Sequence, residues 1–255
     1  MTLGFAASYA CLCCSQGGTV ALAGRPPALA RLRSRWWALV PLASIVLVIV
    51  AISAAAGVAD GLTYLALATT PPLAAATLAW TGRRRSALAA ALVVPLFALA
   101  WADRGGLAGE AAAVALTALG CATLGVLLAA LTPTTWLKLG VIAMSVADSV
   151  LVVVDLLQRP NGKLNAAAPA LGLPQFQRAA FGDAVMGYGD LFLAAVLGAI
   201  LAFERRRQGR VALLTTALAL AFGLLFFAVS ELPATVPVAL ALVWDEVRSR
   251  VRATA

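Results

Sequence analysis

Long apolar runs, separated by short polar or basic gaps, occupy most of the chain. Runs of this length are typical of transmembrane helices, because a helix needs about 20 apolar residues to cross the ~30 Å hydrocarbon core. We therefore predict an all-α polytopic membrane protein with eight transmembrane helices, near residues 37–57, 61–80, 86–101, 111–131, 135–157, 181–203, 211–229 and 232–247.

Residues 4–23 are a weaker ninth candidate. This segment carries no formal charge but contains several Gly, Ser and Gln residues, so it is either a weak ninth span or a disordered leader. It lacks the basic start that is typical of a cleaved signal peptide. The predicted organisation is an N-terminal segment at 1–34, a first helical bundle at 35–131 and a second bundle, with the candidate chemistry, at 132–255.

The composition supports this class and excludes others. Hydrophobic residues make up 62% of the 255 residues, charged residues make up 12%, and the mean hydropathy is +0.95. The chain contains no histidine, which excludes Ser-His and Cys-His nucleophilic sites and metal sites that need imidazole. We predict no metal and no cofactor. The four cysteines do not form paired C-x-x-C motifs, and we interpret them as small buried hydrophobic residues.

The distribution of basic residues predicts how the chain is oriented in the membrane. The net charge of +8 comes mostly from arginines in the gaps between apolar runs, a position that indicates topology and contact with membrane lipids rather than nucleic-acid binding. Of the 19 Lys and Arg residues, fifteen fall on one side of the predicted spans. The positive-inside rule therefore predicts a cytoplasmic C-terminus. The Ala- and Arg-rich composition favours a prokaryotic plasma membrane.

Two aspartates lie inside apolar runs. Asp148 is in VIAMSVADSVLVVVDLL, and Asp190 is in AVMGYGDLFLAAVLGAIL. Membrane helices retain a buried carboxylate mainly where it pairs, conducts or catalyses. Asp155 and Asp183 each lie seven residues from one of them, so we expect each pair to occupy one helix face about 10 Å apart. Antiparallel neighbouring helices would then bring Asp148 and Asp190 to a common depth.

Such a carboxylate pair has a definite chemistry. Two facing carboxylates in a medium of low dielectric constant tend to share one proton, so that one acts as an acid and the other as a base. The pair can activate a water for attack on a peptide carbonyl and protonate the leaving nitrogen. The glycines on either side of Tyr188 would loosen the helix beside Asp190 and let a substrate backbone approach closely.

Three motifs, in order, resemble those of the presenilin and signal peptide peptidase family of Gly-x-Gly-Asp intramembrane aspartyl proteases. Ser145-Val146-Ala147-Asp148 is similar to the family's Tyr-Asp motif, with Ala147 at the tyrosine position. Gly187-Tyr188-Gly189-Asp190 matches the second motif. Pro233-Ala234 occupies the place of the Pro-Ala-Leu motif, with Thr235 in place of leucine. The resemblance covers about residues 135–245.

The resemblance implies a presenilin-like bundle in which Asp148 and Asp190 are the catalytic pair. It also implies a substrate-binding role for the residues around them: Gly187, Tyr188, Gly189, Pro233 and Ala234. The predicted orientation is similar to that of the signal peptide peptidase branch. That branch implies, as partners, the transmembrane helices of substrate proteins or signal-peptide remnants with cytoplasmic N-termini.

Two other functions remain open. Type IV prepilin peptidases also carry a Gly-x-Gly-Asp motif before an apolar run, although they cut at the cytoplasmic face and follow the tetrad with a basic residue, where this chain has Leu191. A proton-coupled transporter would also use intramembrane carboxylates and Gly-interrupted helices. No inverted repeat is evident between the two halves of the sequence.

Overall fold

The structure of the protein, a computed structural model, describes residues 3–25, 32–54, 57–154, 162–163, 173–227, 229 and 232–254. Within these residues the main elements are, in chain order, α1 (Leu3–Leu22), α2 (Val40–Ala54), α3 (Val58–Ala76), α4 (Val93–Ala102), α5 (Leu107–Leu131), α6 (Thr134–Val153), β1 (Arg178–Phe181), β2 (Ala184–Gly187), α7 (Tyr188–Phe203), α8 (Gln208–Gly223) and α9 (Val236–Thr254).

The helices support the predicted class. In the described part of the chain, five helical segments are long and apolar enough to cross a membrane: Arg35–Ile52, Val58–Thr81, Leu107–Leu131, Thr134–Val153 and Gln208–Phe227. Two shorter apolar segments, Leu88–Ala102 and Tyr188–Phe203, accompany them. The structure is thus mostly helical with several spans, as expected for a polytopic membrane protein.

Helix α5 forms the centre of the bundle. It packs against α1, α3, α4 and α7, and most of its residues are buried. Its small residues allow close approach, which is how membrane helices pack when no hydrophobic effect draws them together. Gly125 is such a point between α5 and α7, because a Cβ added there would lie 2.7 Å from the carbonyl carbon of Ala195 in α7.

Threonine hydroxyl groups also join α5 to the end of α3. Thr123 Oγ1 lies 2.7 Å from the hydroxyl of Thr77 and 3.0 Å from that of Thr81, and it donates to the Leu73 carbonyl. All three threonines are buried. Every hydroxyl in this group therefore has a partner, and these hydrogen bonds hold the two apolar helices together.

The segment that the sequence left open, residues 4–23, forms the 20-residue helix α1. This helix packs against α5, α7 and α8 and is not peripheral to the bundle. Gly198 in α7 permits one of these contacts, since a Cβ there would clash with the Val20 carbonyl. At the end of α1, the Gln208 amide donates to the carbonyls of Val20 and Ala23, which have no partner inside the helix.

One end of the bundle, here called the basic end, gathers the basic gaps together. The backbone N–H of Arg83 donates to the Leu22 carbonyl, and the Arg33 guanidinium donates to the Thr132 carbonyl. An ion-pair cluster at the same end joins α6, the end of α7 and the middle of α9, and its members are Lys138, Glu204, Arg206, Asp245 and Glu246.

The ion pairs of this cluster are short and shared. Lys138 and Arg206 each contact more than one carboxylate, so the five side chains form one network. The nearest contacts join Lys138 Nζ to Glu204 Oε1 at 2.5 Å and to Glu246 Oε1 at 2.6 Å.

The opposite end, here called the hairpin end, differs from the prediction. The span predicted at 181–203 was wrong in its first part, because residues 178–187 form an antiparallel hairpin and the helix begins only at Tyr188. Gly182 has a φ of +54°, which suits the tight turn, and Ser8 and Glu110 bind this turn through its N–H groups.

The expected alignment of Asp183 with Asp190 on one helix face is therefore also wrong. Asp183 lies in the hairpin turn, and its backbone N–H donates to the Ser8 hydroxyl oxygen at 3.3 Å. The partner expected at the other helix, Asp155, lies outside the described residues.

The close contact of α5 with α7 generates a stability prediction. We expect Gly125→Ala to lower the free energy of unfolding by about 1–3 kcal/mol, because the added methyl group meets backbone atoms that cannot move aside. Gly120→Ala is the matched control in the same helix, since its Cβ would meet nothing closer than 3.6 Å. Thermal unfolding in detergent measures both, and equal stability of the two variants would contradict the prediction.

Candidate active site

Asp148 lies on α6, in the part of the helix that faces α7 and the start of α9. Its carboxylate is partly buried and accepts a hydrogen bond of 2.6 Å from the Thr235 hydroxyl. A charge-bearing group in an apolar bundle needs such donors, because a buried carboxylate without them is costly.

Asp190 is the third residue of α7, and its position there has a local cause. Its Oδ2 accepts a hydrogen bond of 3.0 Å from the backbone N–H of Gly187, the residue that precedes the helix. A carboxylate in the first turn also interacts favourably with the helix dipole. The strand-to-helix junction thus holds Asp190 at the helix N-terminus.

The two carboxylates lie close enough for their charges to interact. Helix α6 packs against α7 and α9, which brings the two aspartates and Thr235 together although they are far apart in sequence. The structure therefore places the two sequence-predicted candidates at one site. Their catalytic role remains a prediction.

The glycines of the tetrad act differently from the expectation. Gly187 ends β2 and Gly189 lies in the first turn of α7, so the backbone beside Asp190 is a strand-to-helix junction and not a loosened helix. Both glycines are exposed. Tyr188 between them is partly buried, and its carbonyl lies 3.8 Å from the Cys121 thiol of α5.

The Pro233-Ala234 segment meets the site through its neighbour Thr235. Gln16, on α1, donates a hydrogen bond of 2.8 Å to the Ala234 carbonyl. Thr235 then donates to Asp148, so the segment is bound on one side by α1 and on the other by α6. Pro233 and Ala234 themselves are partly buried.

Sequence reasoning missed two of these contacts. Thr235 was interpreted only as a departure from the family's Pro-Ala-Leu motif, although a hydroxyl group inside an apolar run needs a partner. Gln16 carried the same signal, since a glutamine in an apolar helix is expected to reach a polar group.

An open groove runs beside the site along the outer face of α6. Its volume is about 480 Å³, and it is lined by Ser145, Val146, Ser149, Val150, Val153, Val154 and Val236. The serines flank Asp148 in sequence, whereas the valines continue along the helix towards the hairpin end. The groove is mostly apolar, and two of its lining residues, Ser149 and Val236, are the sequence neighbours of Asp148 and Thr235.

Within the described ranges, no group of three or more His, Cys, Asp or Glu side chains is arranged to hold a metal ion. Comparison of the chain with protein-family models, with curated proteins and with solved structures finds no match. The case for a function therefore depends on the residues of the site.

The capping contact of Asp190 can be tested separately from any activity. We expect Asp190→Ala to be less stable than Asp190→Asn by about 1 kcal/mol, because only asparagine keeps an oxygen that accepts from the Gly187 N–H. Both variants remove the charge, so the difference reports the loss of the capping side chain and not the loss of the charge. Thermal unfolding in detergent gives the comparison, and indistinguishable midpoints would count against the cap.

Proposed function

We propose that the protein is a membrane-embedded aspartic endopeptidase that hydrolyses peptide bonds within or near transmembrane helices. The observation that supports this most directly is the packing of α6 against α7, which brings Asp148 and Asp190, carboxylates from different helices, into one region of the bundle. The resemblance of the three motifs to the presenilin and signal peptide peptidase family is in line with this proposal.

In the proposed reaction the two carboxylates share one proton. The ionised carboxylate removes a proton from a water as its oxygen attacks the peptide carbonyl, and the protonated carboxylic acid supports the carbonyl oxygen. Collapse of the tetrahedral intermediate breaks the C–N bond, and the amine leaves with a proton from the pair. Water and peptide give a carboxylic acid and an amine, so the reaction needs no cofactor.

The groove on α6 is the surface that we assign to the substrate helix. Val146, Val150 and Val153 are spaced as one face of a helix and are 59%, 52% and 84% exposed, respectively. A single apolar substrate helix would pack against this valine face, and an unwound segment beyond it would extend past Ser145 and Ser149 to Asp148, on another face of α6. Gly187 and Gly189 would let the substrate backbone approach Asp190 without meeting a side chain.

In our proposed topology, α1 and eight further segments all cross the membrane. The basic end lies in the cytoplasm because it gathers most of the arginines. The C-terminus is then cytoplasmic, the N-terminus is outside, and α6 runs outwards while α7 runs inwards. We further propose that the protein lies in a prokaryotic plasma membrane. Its substrates would have cytoplasmic N-termini, as signal-peptide remnants do.

The depth of the site favours this proposal over a prepilin-type peptidase. Asp148 is ten residues beyond Lys138, a member of the basic-end cluster, which corresponds to about 15 Å along the helix axis. Asp190 is fourteen residues before Glu204 in the same cluster, or about 21 Å. A peptidase that cuts at the cytoplasmic face would need its carboxylates nearer to that end.

The first test is cleavage of a tagged single-span reporter with a cytoplasmic N-terminus. We expect the wild type to cut inside the apolar span, and we expect Asp148→Asn and Asp190→Asn each to lower the rate by about 100-fold or more. Fragment masses locate the cut, and equal expression is the control.

Other outcomes of this test point elsewhere. A cut at the cytoplasmic border would favour the prepilin-type function. If the wild type cleaved no reporter of either orientation but carried a proton-dependent flux lost in both variants, the protein would be a transporter and the protease proposal would be wrong.

The groove generates a separate prediction. We expect Val150→Trp to raise KM for the reporter about tenfold with little change in kcat, because the indole fills space that the substrate helix would occupy. Leu213→Trp, at a 73% exposed position on α8 that does not line the groove, is the matched control. Equal kinetics of the two variants would remove the groove from the substrate path.

A further inference from the structure

We propose that Thr235 and Gln16 are positioning residues for the aspartate pair. Gln16 holds the Ala234 peptide group, and the Thr235 hydroxyl holds the Asp148 carboxylate in one orientation. The inference rests on the proposed protease function. It extends the site to α1 and to the one residue at which the third motif departs from the family pattern.

Thr235 is placed to do this by the start of α9. It immediately precedes the helix, and its carbonyl accepts from the N–H groups of Val238 and Ala239. A threonine at this position usually turns its side chain to the N–H groups of its own helix. Here the hydroxyl donates instead to Asp148 at 2.6 Å, and the second residue of the helix, Pro237, has no N–H to offer.

The contact restricts Asp148. Thr235 is only 4% exposed, so its side chain has little freedom, and its bond to Oδ2 removes rotation of the carboxylate. We assign the other oxygen, Oδ1, to the reacting water. A bond to an ionised group is stronger than one between neutral groups, which makes this an effective way to fix a carboxylate.

Gln16 supports the same segment from the opposite side. Its side chain is fully buried on α1, and its Nε2 donates to the Ala234 carbonyl at 2.8 Å. Its Oε1 is buried with no hydrogen-bond partner in the described part of the chain. A half-satisfied buried amide is costly, so packing alone does not explain a glutamine here. Its hydrogen bond holds the peptide group next to Thr235.

The test uses variants that separate shape from hydrogen bonding. Thr235→Val keeps the shape of the side chain and loses the hydroxyl, whereas Thr235→Ser keeps the hydroxyl and loses a methyl group. In the reporter assay we expect Thr235→Val to lower kcat by about tenfold or more at unchanged KM. We expect Thr235→Ser to stay within about threefold of the wild type, because the donor to Asp148 remains.

Gln16→Met supplies an independent variant if Thr235→Val folds poorly. We expect it to lower kcat about fivefold at unchanged KM, and we expect this loss to shrink in a Thr235→Val background, because both residues act through one contact. Thermal unfolding of Thr235→Val, Asp148→Ala and the double variant measures the coupling of the two side chains without any activity.

The outcomes separate this inference from the function on which it rests. If the wild type cleaves the reporter but Thr235→Val and Thr235→Ser are equally active or equally impaired, the hydroxyl does not position Asp148. If the losses of kcat in Gln16→Met and Thr235→Val are additive, Gln16 does not act through Thr235 to position Asp148. If the wild type cleaves no reporter, the protease proposal itself fails, whatever the unfolding coupling between Thr235 and Asp148 shows.

Discussion

In our proposed topology, helix α7 is too short to cross the membrane without the hairpin that precedes it, and much of the site depends on that limit. Its 16 residues extend about 24 Å, against a hydrocarbon thickness of ~30 Å. With Glu204 at the basic end, the N-terminus of α7 falls below the opposite surface. Non-helical backbone at that depth is tolerated only inside protein or beside a water-filled cavity. The hairpin meets this condition, because β1 and β2 pair with each other and are covered by α1 and α5.

This arrangement explains why an acidic residue is tolerated at Asp190. The end of β2 supplies the Gly187 N–H, and the open helix end supplies a favourable dipole for a carboxylate. A residue at the middle of a continuous helix would have neither, since every backbone N–H around it would already be bonded. The interrupted span therefore lowers the cost of the second carboxylate.

The sequence predicted the apolar helices that a lipid environment requires, and it missed the polar contacts that neighbouring helices supply. The apolar runs predict α5 and α6 to within a few residues, because a spanning helix has to be apolar along its whole length. The hairpin at 178–187 was hidden in such a run, although its Gly182-Asp183 pair is a turn signal between two short segments. Helix α1 looked weak because of its polar residues, and two of those, Ser8 and Gln16, bind other elements.

The residues of the candidate site also fall into two groups, those that the sequence predicted and those that it did not. Asp148 and Asp190 could be predicted from one sequence, because a carboxylate in an apolar run is rare whatever surrounds it. Gln16 and Thr235 could not be assigned, since their partners lie 218 and 87 residues away along the chain. Only the packing of α1, α6 and α9 reveals what these two side chains bind.

The basic-end cluster connects this packing to the alignment of the aspartates. Lys138, Glu204 and Glu246 each belong to a different site-bearing segment, and their ion pairs join α6, the end of α7 and α9 at one level. Exposed ion pairs contribute little individually, but these side chains are only 19–23% exposed and share partners in a network. Because helices are stiff along their axes, joining their ends restricts the sliding of α6 past α7. That restriction keeps Asp148 and Asp190 within reach of each other.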